Sequence, residues 1–161
     1  MSGKRTRDIR LSVTIKAAPE QVYRALTSAR ELCRWWLVGA ETDARNGGRF
    51  RMVWPKLKTD SAVFPPSLSE TEGVFVDLEP ARKVAWIRAR PRLRGGPSLV
   101  SFFILPVKRS SEVTLVHAGF PAGRGQAVYE GCARGWADAL AKLKRYLETG
   151  RVGKTEVLSL S

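Results

Sequence analysis

From Gln126 to Thr149 the chain places Val128, Cys132, Trp136, Leu140, Leu143 and Leu147 close to the spacing that lines one face of a 3.6-residue helix. Arg134, Asp138, Lys142, Lys144 and Arg145 fall on the other faces. Upstream, the stretch from Arg49 to Phe120 reads as strands separated by turns. The apolar stripe of the helix must be buried, and after a run of strands a sheet is the partner on offer. A sheet curved round one long helix commonly leaves a hollow between the two. This order of elements therefore predicts an α+β domain with a ligand-sized pocket, and it does not say what enters the pocket.

At 161 residues the chain fits a single domain, with its core expected over about residues 8–149 and flexible ends at 1–7 and 150–161. A chain of this length buries about 70% of its unfolded surface, so neither a metal nor a disulfide is needed to hold it. Cys33 and Cys132 form no CxxC and the chain has one histidine, so packed, reduced thiols are expected, with no metal centre and no cofactor. The segment MSGKRTRDIR lacks the apolar run of a signal peptide, and no stretch of 18 apolar residues occurs. Both point to a cytoplasmic protein without a membrane span.

A net charge of +13 would suit an anionic partner such as nucleic acid. The charge gathers in Lys4, Arg5, Arg7, Arg10 and Lys16, and again in Arg82, Lys83, Arg88, Arg90, Arg92 and Arg94. No helix-turn-helix, zinc-finger or RRM signature accompanies these runs, and the aromatic residues fall at core positions rather than between the charges. Specific nucleic-acid binding is not expected.

Residues 8–16 alternate Ile9, Leu11, Val13 and Ile15 with polar neighbours, the period of a half-buried strand. Pro19 suits the first turn of a helix that buries Val22, Leu26 and Tyr23, and a second short helix is expected over residues 30–36. A strand at 40–44 turns through Asn46-Gly47-Gly48 into a strand at 49–54, since Asn-Gly supplies the positive φ of a tight hairpin. Residues 55–69, with Pro55, Pro65 and Pro66, read as a long loop overhanging the pocket. Strands follow at 71–78, 83–90, 99–107 and 112–120.

One strand, two short helices, an antiparallel run and a long terminal helix resemble the helix-grip fold of the START-like or Bet v 1-like superfamily. The resemblance narrows at Trp35-Trp36, Gly47-Gly48-Arg49-Phe50, Gly73 followed by Glu79-Pro80, the run from Thr114 to Phe120, and Gly135-Trp136 ahead of Leu140 and Leu143. Together, over about residues 8–149, these are similar to the family named for the activator of heat-shock protein 90 ATPase. That resemblance implies a ligand-sized cavity between sheet and helix. It does not by itself bring co-chaperone activity, because function resides in sites rather than folds.

Strand parity groups residues by face, and the resemblance implies which faces would line such a cavity. Those residues are Phe50 and Trp54 beside Met52, Trp86 beside Val84, Phe102 and Ile104 beside Val100, and His117 beside Val113 and Leu115, with Leu140 from the last helix, and Trp36 and Trp136, which either line the cavity or fill the core. Parity also carries Arg88 inward with Trp86, at a position where the resembled family tends to have an apolar residue. There its guanidinium would pair with a carboxylate or phosphate of the ligand. The alternative, common for long basic side chains, is that the strand has ended and Arg88 reaches solvent. Neighbours on a helix diverge by about 100°, so of Trp35 and Trp36 one is expected to face the cavity and the other to point outward or toward a partner.

His117, the single histidine, invites a general acid–base role, but such a role needs an orienting carboxylate or a nucleophile, and the sequence points to neither. A packed or ligand-touching histidine is expected. No GxSxG, Walker loop, HExxH, paired-carboxylate or Rossmann pattern occurs, so no catalytic residue is assigned. Phe103 and Leu105 fall on the opposite parity from Phe102 and Ile104, on the outer sheet face, and suggest a homodimer formed there unless the proline-rich loop or the tail covers them. The sequence thus favours binding of a small hydrophobic or lipid-like ligand, with or without an acidic group. A protein-interaction module of co-chaperone type is the alternative, and a cyclase- or hydrolase-type enzyme using His117 a weaker third.

Overall fold

The computed structural model describes residues 6–55, 70–90, 99–123 and 125–150. Its elements follow the predicted order: β1 (Thr6–Ile15), α1 (Pro19–Thr27), α2 (Ala29–Trp35), β2 (Gly39–Thr42), β3 (Arg49–Val53), β4 (Glu70–Glu79), β5 (Lys83–Arg90), β6 (Leu99–Val107), β7 (Ser110–Pro121) and α3 (Gln126–Thr149). The strands form one curved antiparallel sheet in the order β1-β7-β6-β5-β4-β3-β2, so the first strand lies beside the last. Residues 56–69, where the sequence predicts a loop over the pocket, and residues 91–98 and 151–161 lie outside the described residues.

Three features differ from the sequence reading. Strand β1 begins at Thr6, which pairs with Pro121, so residues 6 and 7 belong to the sheet rather than to a loose end. Cys33 is exposed on α2 and only Cys132 is a packed thiol. The turn after β2 is also longer than a tight hairpin, because the chain leaves the ladder at Thr42 and rejoins it at Arg49. That loop docks onto β4. The Gly47 amide donates to Phe75 O at 2.8 Å, the Phe75 amide to Gly48 O at 2.9 Å, and the Leu78 amide to Asn46 Oδ1 at 2.6 Å. These bonds satisfy backbone groups around the bulge between Phe75 and Asp77, where the β4–β5 register shifts.

Helix α3 buries Cys132, Trp136, Ala139, Leu140 and Leu143 against the concave face of the sheet, with Val128 and Leu147 at the margins, which is the stripe read from the sequence. Polar bonds fix it along β1, the sheet's edge strand. Tyr129 Oη donates to Asp8 O at 3.2 Å, Lys144 Nζ to Thr14 O at 2.6 Å, and the Lys16 amide to Glu148 Oε2 at 2.8 Å. Tyr146 Oη donates to Glu31 Oε1 at 2.8 Å and ties the same helix to α2.

Gly73 is where sheet and core fit most tightly. A Cβ built there would lie 2.2 Å from Ile87 O and 2.4 Å from the Phe50 ring, so Phe50 occupies the space that a side chain would need. Overpacking of this kind costs about 1–3 kcal/mol. Gly73→Ala is expected to lower the urea unfolding midpoint by a corresponding amount with little change in m-value; an unshifted midpoint would show that Phe50 does not rest on this glycine.

Candidate ligand site

Register places one set of residues at one end of the sheet. Strands β3, β5 and β7 run parallel to one another and finish at the end where β1 begins and α3 starts. Trp54, Arg88, His117 and Phe120 therefore lie toward that end, under the first turns of α3 with Tyr129 and Cys132. Ile104 does not belong to this group: it pairs with Val113 and packs at the opposite end, where the Ile104 amide donates to Arg82 O at 2.8 Å.

Eight of the residues singled out from sequence are joined through ring contacts. Trp35 stacks on Trp36 at 5.1 Å, Trp36 meets Trp54 at 5.2 Å and Trp136 at 5.7 Å, and Trp136 meets Trp86 at 6.2 Å and Phe102 at 5.9 Å. Phe50 contacts Trp86 at 5.2 Å, and His117 lies 6.0 Å from Trp136. Trp36 and Trp54 are half-buried, whereas Trp35, Phe50, Trp86, Phe102, Trp136 and Leu140 are buried. The sequence reading omitted Phe75, which meets Phe50 at 5.3 Å and shares its inward parity with Gly73.

The expectation that Trp35 and Trp36 diverge is overturned. Helix α2 ends at Trp35, and Trp36 occupies its C-cap with φ −131° and ψ −46°, so helical rotation does not carry from one ring to the next. The rings lie within 10° of parallel and both turn inward, with the Trp35 indole N–H donating to Ala25 O at 2.9 Å.

His117 is 1% exposed, and its Nδ1 accepts from the Trp136 indole N–H at 2.9 Å. This bond fixes Nδ1 as the unprotonated nitrogen and satisfies a buried donor whose loss would cost about 1–3 kcal/mol. A nitrogen engaged in this way holds α3 to β7, and it is unavailable as a base while the bond persists. Asp77 is turned away, its carboxylate paired with Lys83 at 2.6 Å on the outer face.

Of the two orientations open to Arg88 from sequence, its nitrogens adopt the inward one. Its Nε and Nη1 are fully buried and have no hydrogen-bond partner. Burial pulls the guanidinium below its usual pKa, and the neighbouring Cys132 opposes that shift. The effect on Cys132 is reciprocal, with desolvation pushing its thiol up to about 11. Gly73, opposite Arg88 on β4, offers no side chain to pair with it. The sequence marks Cys132 only as a core thiol; its place one turn before Trp136 on the buried stripe is the signal that sets it beside the site. Among the described residues no His/Cys/Asp/Glu group could hold a metal ion, and no helix is long and apolar enough to cross a membrane.

A seven-stranded antiparallel sheet gripping one C-terminal helix, with two short helices after the first strand, defines a helix-grip protein of START-like architecture. The model of the family described as Activator of Hsp90 ATPase homolog 1-like protein matches residues 16–148, and the chain belongs to that family. Among solved structures it is similar to the Aha1 dimer from Colwellia psychrerythraea, with 23% identity, a TM-score of 0.72, and 90% of this chain and 98% of that one covered. It is also similar to a protein from Staphylococcus saprophyticus, with 16% identity, a TM-score of 0.72 and coverage of 92% and 96%. A third is CalU16 from Micromonospora echinospora, with 19% identity, a TM-score of 0.65 and coverage of 96% and 82%. No curated protein matches the sequence.

The two thiols provide a check on this geometry. Cys33 is exposed and Cys132 is held protonated by burial, and the thiolate is the reactive form. At pH 8 a disulfide reagent such as DTNB is expected to consume one thiol in the folded protein and the second only after unfolding. Release of both at similar rates from the native state would remove Cys132 from the interior.

Proposed function

We propose that the protein binds a small apolar molecule between the sheet and α3, at the end where β3, β5 and β7 finish. The supporting observation is the gradient of aromatic burial there: the half-buried rings of Trp36 and Trp54 continue inward to buried Trp136 and Trp86. Apolar surface at a mouth, backed by rings, suits the body of a hydrophobic or lipid-like guest. Phe50, Phe102, His117 and Leu140 form the surroundings of those rings, and Trp35 supports Trp36 from behind.

The density of rings also favours a second reading, an interaction module of co-chaperone type, in which the aromatic interior stiffens a surface that meets another protein. The two separate by experiment. A neutral apolar probe, N-phenyl-1-naphthylamine, is expected to bind one per chain and to shift tryptophan emission, and Trp54→Ala should weaken it by about tenfold. If native mass spectrometry finds no co-purified small molecule and neither this probe nor lipid extracts alter the emission, ligand binding fails and the interaction module stands.

The outer face carries a proposal of its own. Leu105 is 57% exposed and Phe103 42%, with Ile87 and Leu99 exposed on the same face. We propose that two copies meet through this patch, which a symmetric pair can bury reciprocally. Sedimentation velocity is expected to show a dimer that Leu105→Lys converts to monomer; a monomeric wild-type protein would contradict it.

A further inference from the structure

The described side chains on strands β3 to β7 that share the inward parity are apolar, small or neutral, with one exception. Arg88 follows Val84 and Trp86 on that parity, and its Nε and Nη1 are shut off from solvent without an acceptor. A buried guanidinium normally meets a carboxylate or several carbonyls, because leaving a charge desolvated and unpaired is strongly unfavourable. Among the described residues, the group that acts on it is the Cys132 thiol, which stays protonated and supplies no negative charge. Arg7, whose Nε is likewise buried, differs because it donates to Gln126 Oε1 and lies 3.7 Å over the Tyr129 ring.

We infer that the ligand is a monocarboxylic acid with an apolar body, its carboxylate seated on Arg88 and its body lying against Trp86, Trp136 and the rings at the mouth. This rests on the ligand-binding function proposed above and adds the chemical class. Oxygen acceptors match the guanidinium donors, and one cation balances one negative charge, which favours a carboxylate over a phosphate dianion. The apolar wall excludes water, so the ion pair forms where it is weakly screened and where a neutral analogue would leave the donors unpaired. Arg88 then serves recognition at the expense of stability, since an apolar residue of similar length would leave no buried donor unpaired.

The experiment compares dodecanoate, dodecanol and dodecyl phosphate, and 3-phenylpropanoate with its amide, by calorimetry and tryptophan emission. The proteins are the wild type, Arg88→Met and Arg88→Lys. Wild type is expected to prefer each acid over its neutral partner by at least about tenfold and dodecanoate over dodecyl phosphate. Arg88→Met should abolish the preference while unfolding at the same or a higher urea concentration than wild type, and Arg88→Lys should retain part of it. If acids and neutral partners bind wild type equally, ligand binding survives and the assignment of Arg88 fails. If none of the compounds binds, both fail together. Tighter binding of the phosphate overturns the monocarboxylate class. Arg88→Met with a lowered unfolding midpoint and an unchanged acid preference would make Arg88 a structural residue and overturn the inference.

Discussion

The contact between α3 and the first strand is the one on which the other features depend. Strand β1 is an edge, and an edge strand presents unpaired amides and carbonyls along its free side. Two of those groups, and the amide just after the strand, are taken up by one helix: Asp8 O by Tyr129, Thr14 O by Lys144 and the Lys16 amide by Glu148. The bonds are spread from the first to the last turns of α3, so they fix the helix axis along the strand and with it the rotation that turns Cys132, Trp136 and Leu140 toward the sheet. Glu148 is held below the ordinary glutamate pKa by its bond from Lys144 and by the Lys16 amide, so this clasp keeps its charge further into acid than a free glutamate would.

The interior that results combines two kinds of surface that rarely share a core. One is a continuous set of rings from Trp35 to Tyr129, connected through Trp136, His117 and Phe120. The other is a guanidinium with two buried donors and no acceptor. Stability would be served by rings alone; a charge among them is a cost that folding does not require. The histidine shows the contrast, because it is buried yet accepts a bond from Trp136 and contributes to the structure through it.

Much of this was legible in the chain. Helix α3 has the expected limits because its 3.6-residue stripe is long, and strands β5 and β6 because Glu79-Pro80 and Arg94-Gly95-Gly96-Pro97 punctuate them in the sequence. Parity also carried Arg88 inward, though sequence could not decide between solvent and interior, since that depends on how far the strand continues past Trp86 and on what stands opposite. The stacking of Trp35 on Trp36 was not legible at all. It turns on a single C-cap residue leaving helical geometry, which no pattern of hydrophobicity records. The loop after β2 was misjudged for a related reason: Asn46-Gly47 signals a turn, but the length of the excursion is set by bonds to β4, distant in sequence.

The place of β1 beside β7 also bears on how the protein is made. Thr6 is made before its partner Pro121 and before the helix that shields its free side, which follow only after strands β2 to β6. Until then the alternating strand has no neighbour on either side, and closing so large a loop is slow relative to forming local turns. The nascent chain must therefore carry an unpaired, partly apolar ribbon while those intervening strands are made, the interval in which a neighbouring copy or a holding chaperone has its best opportunity to engage it.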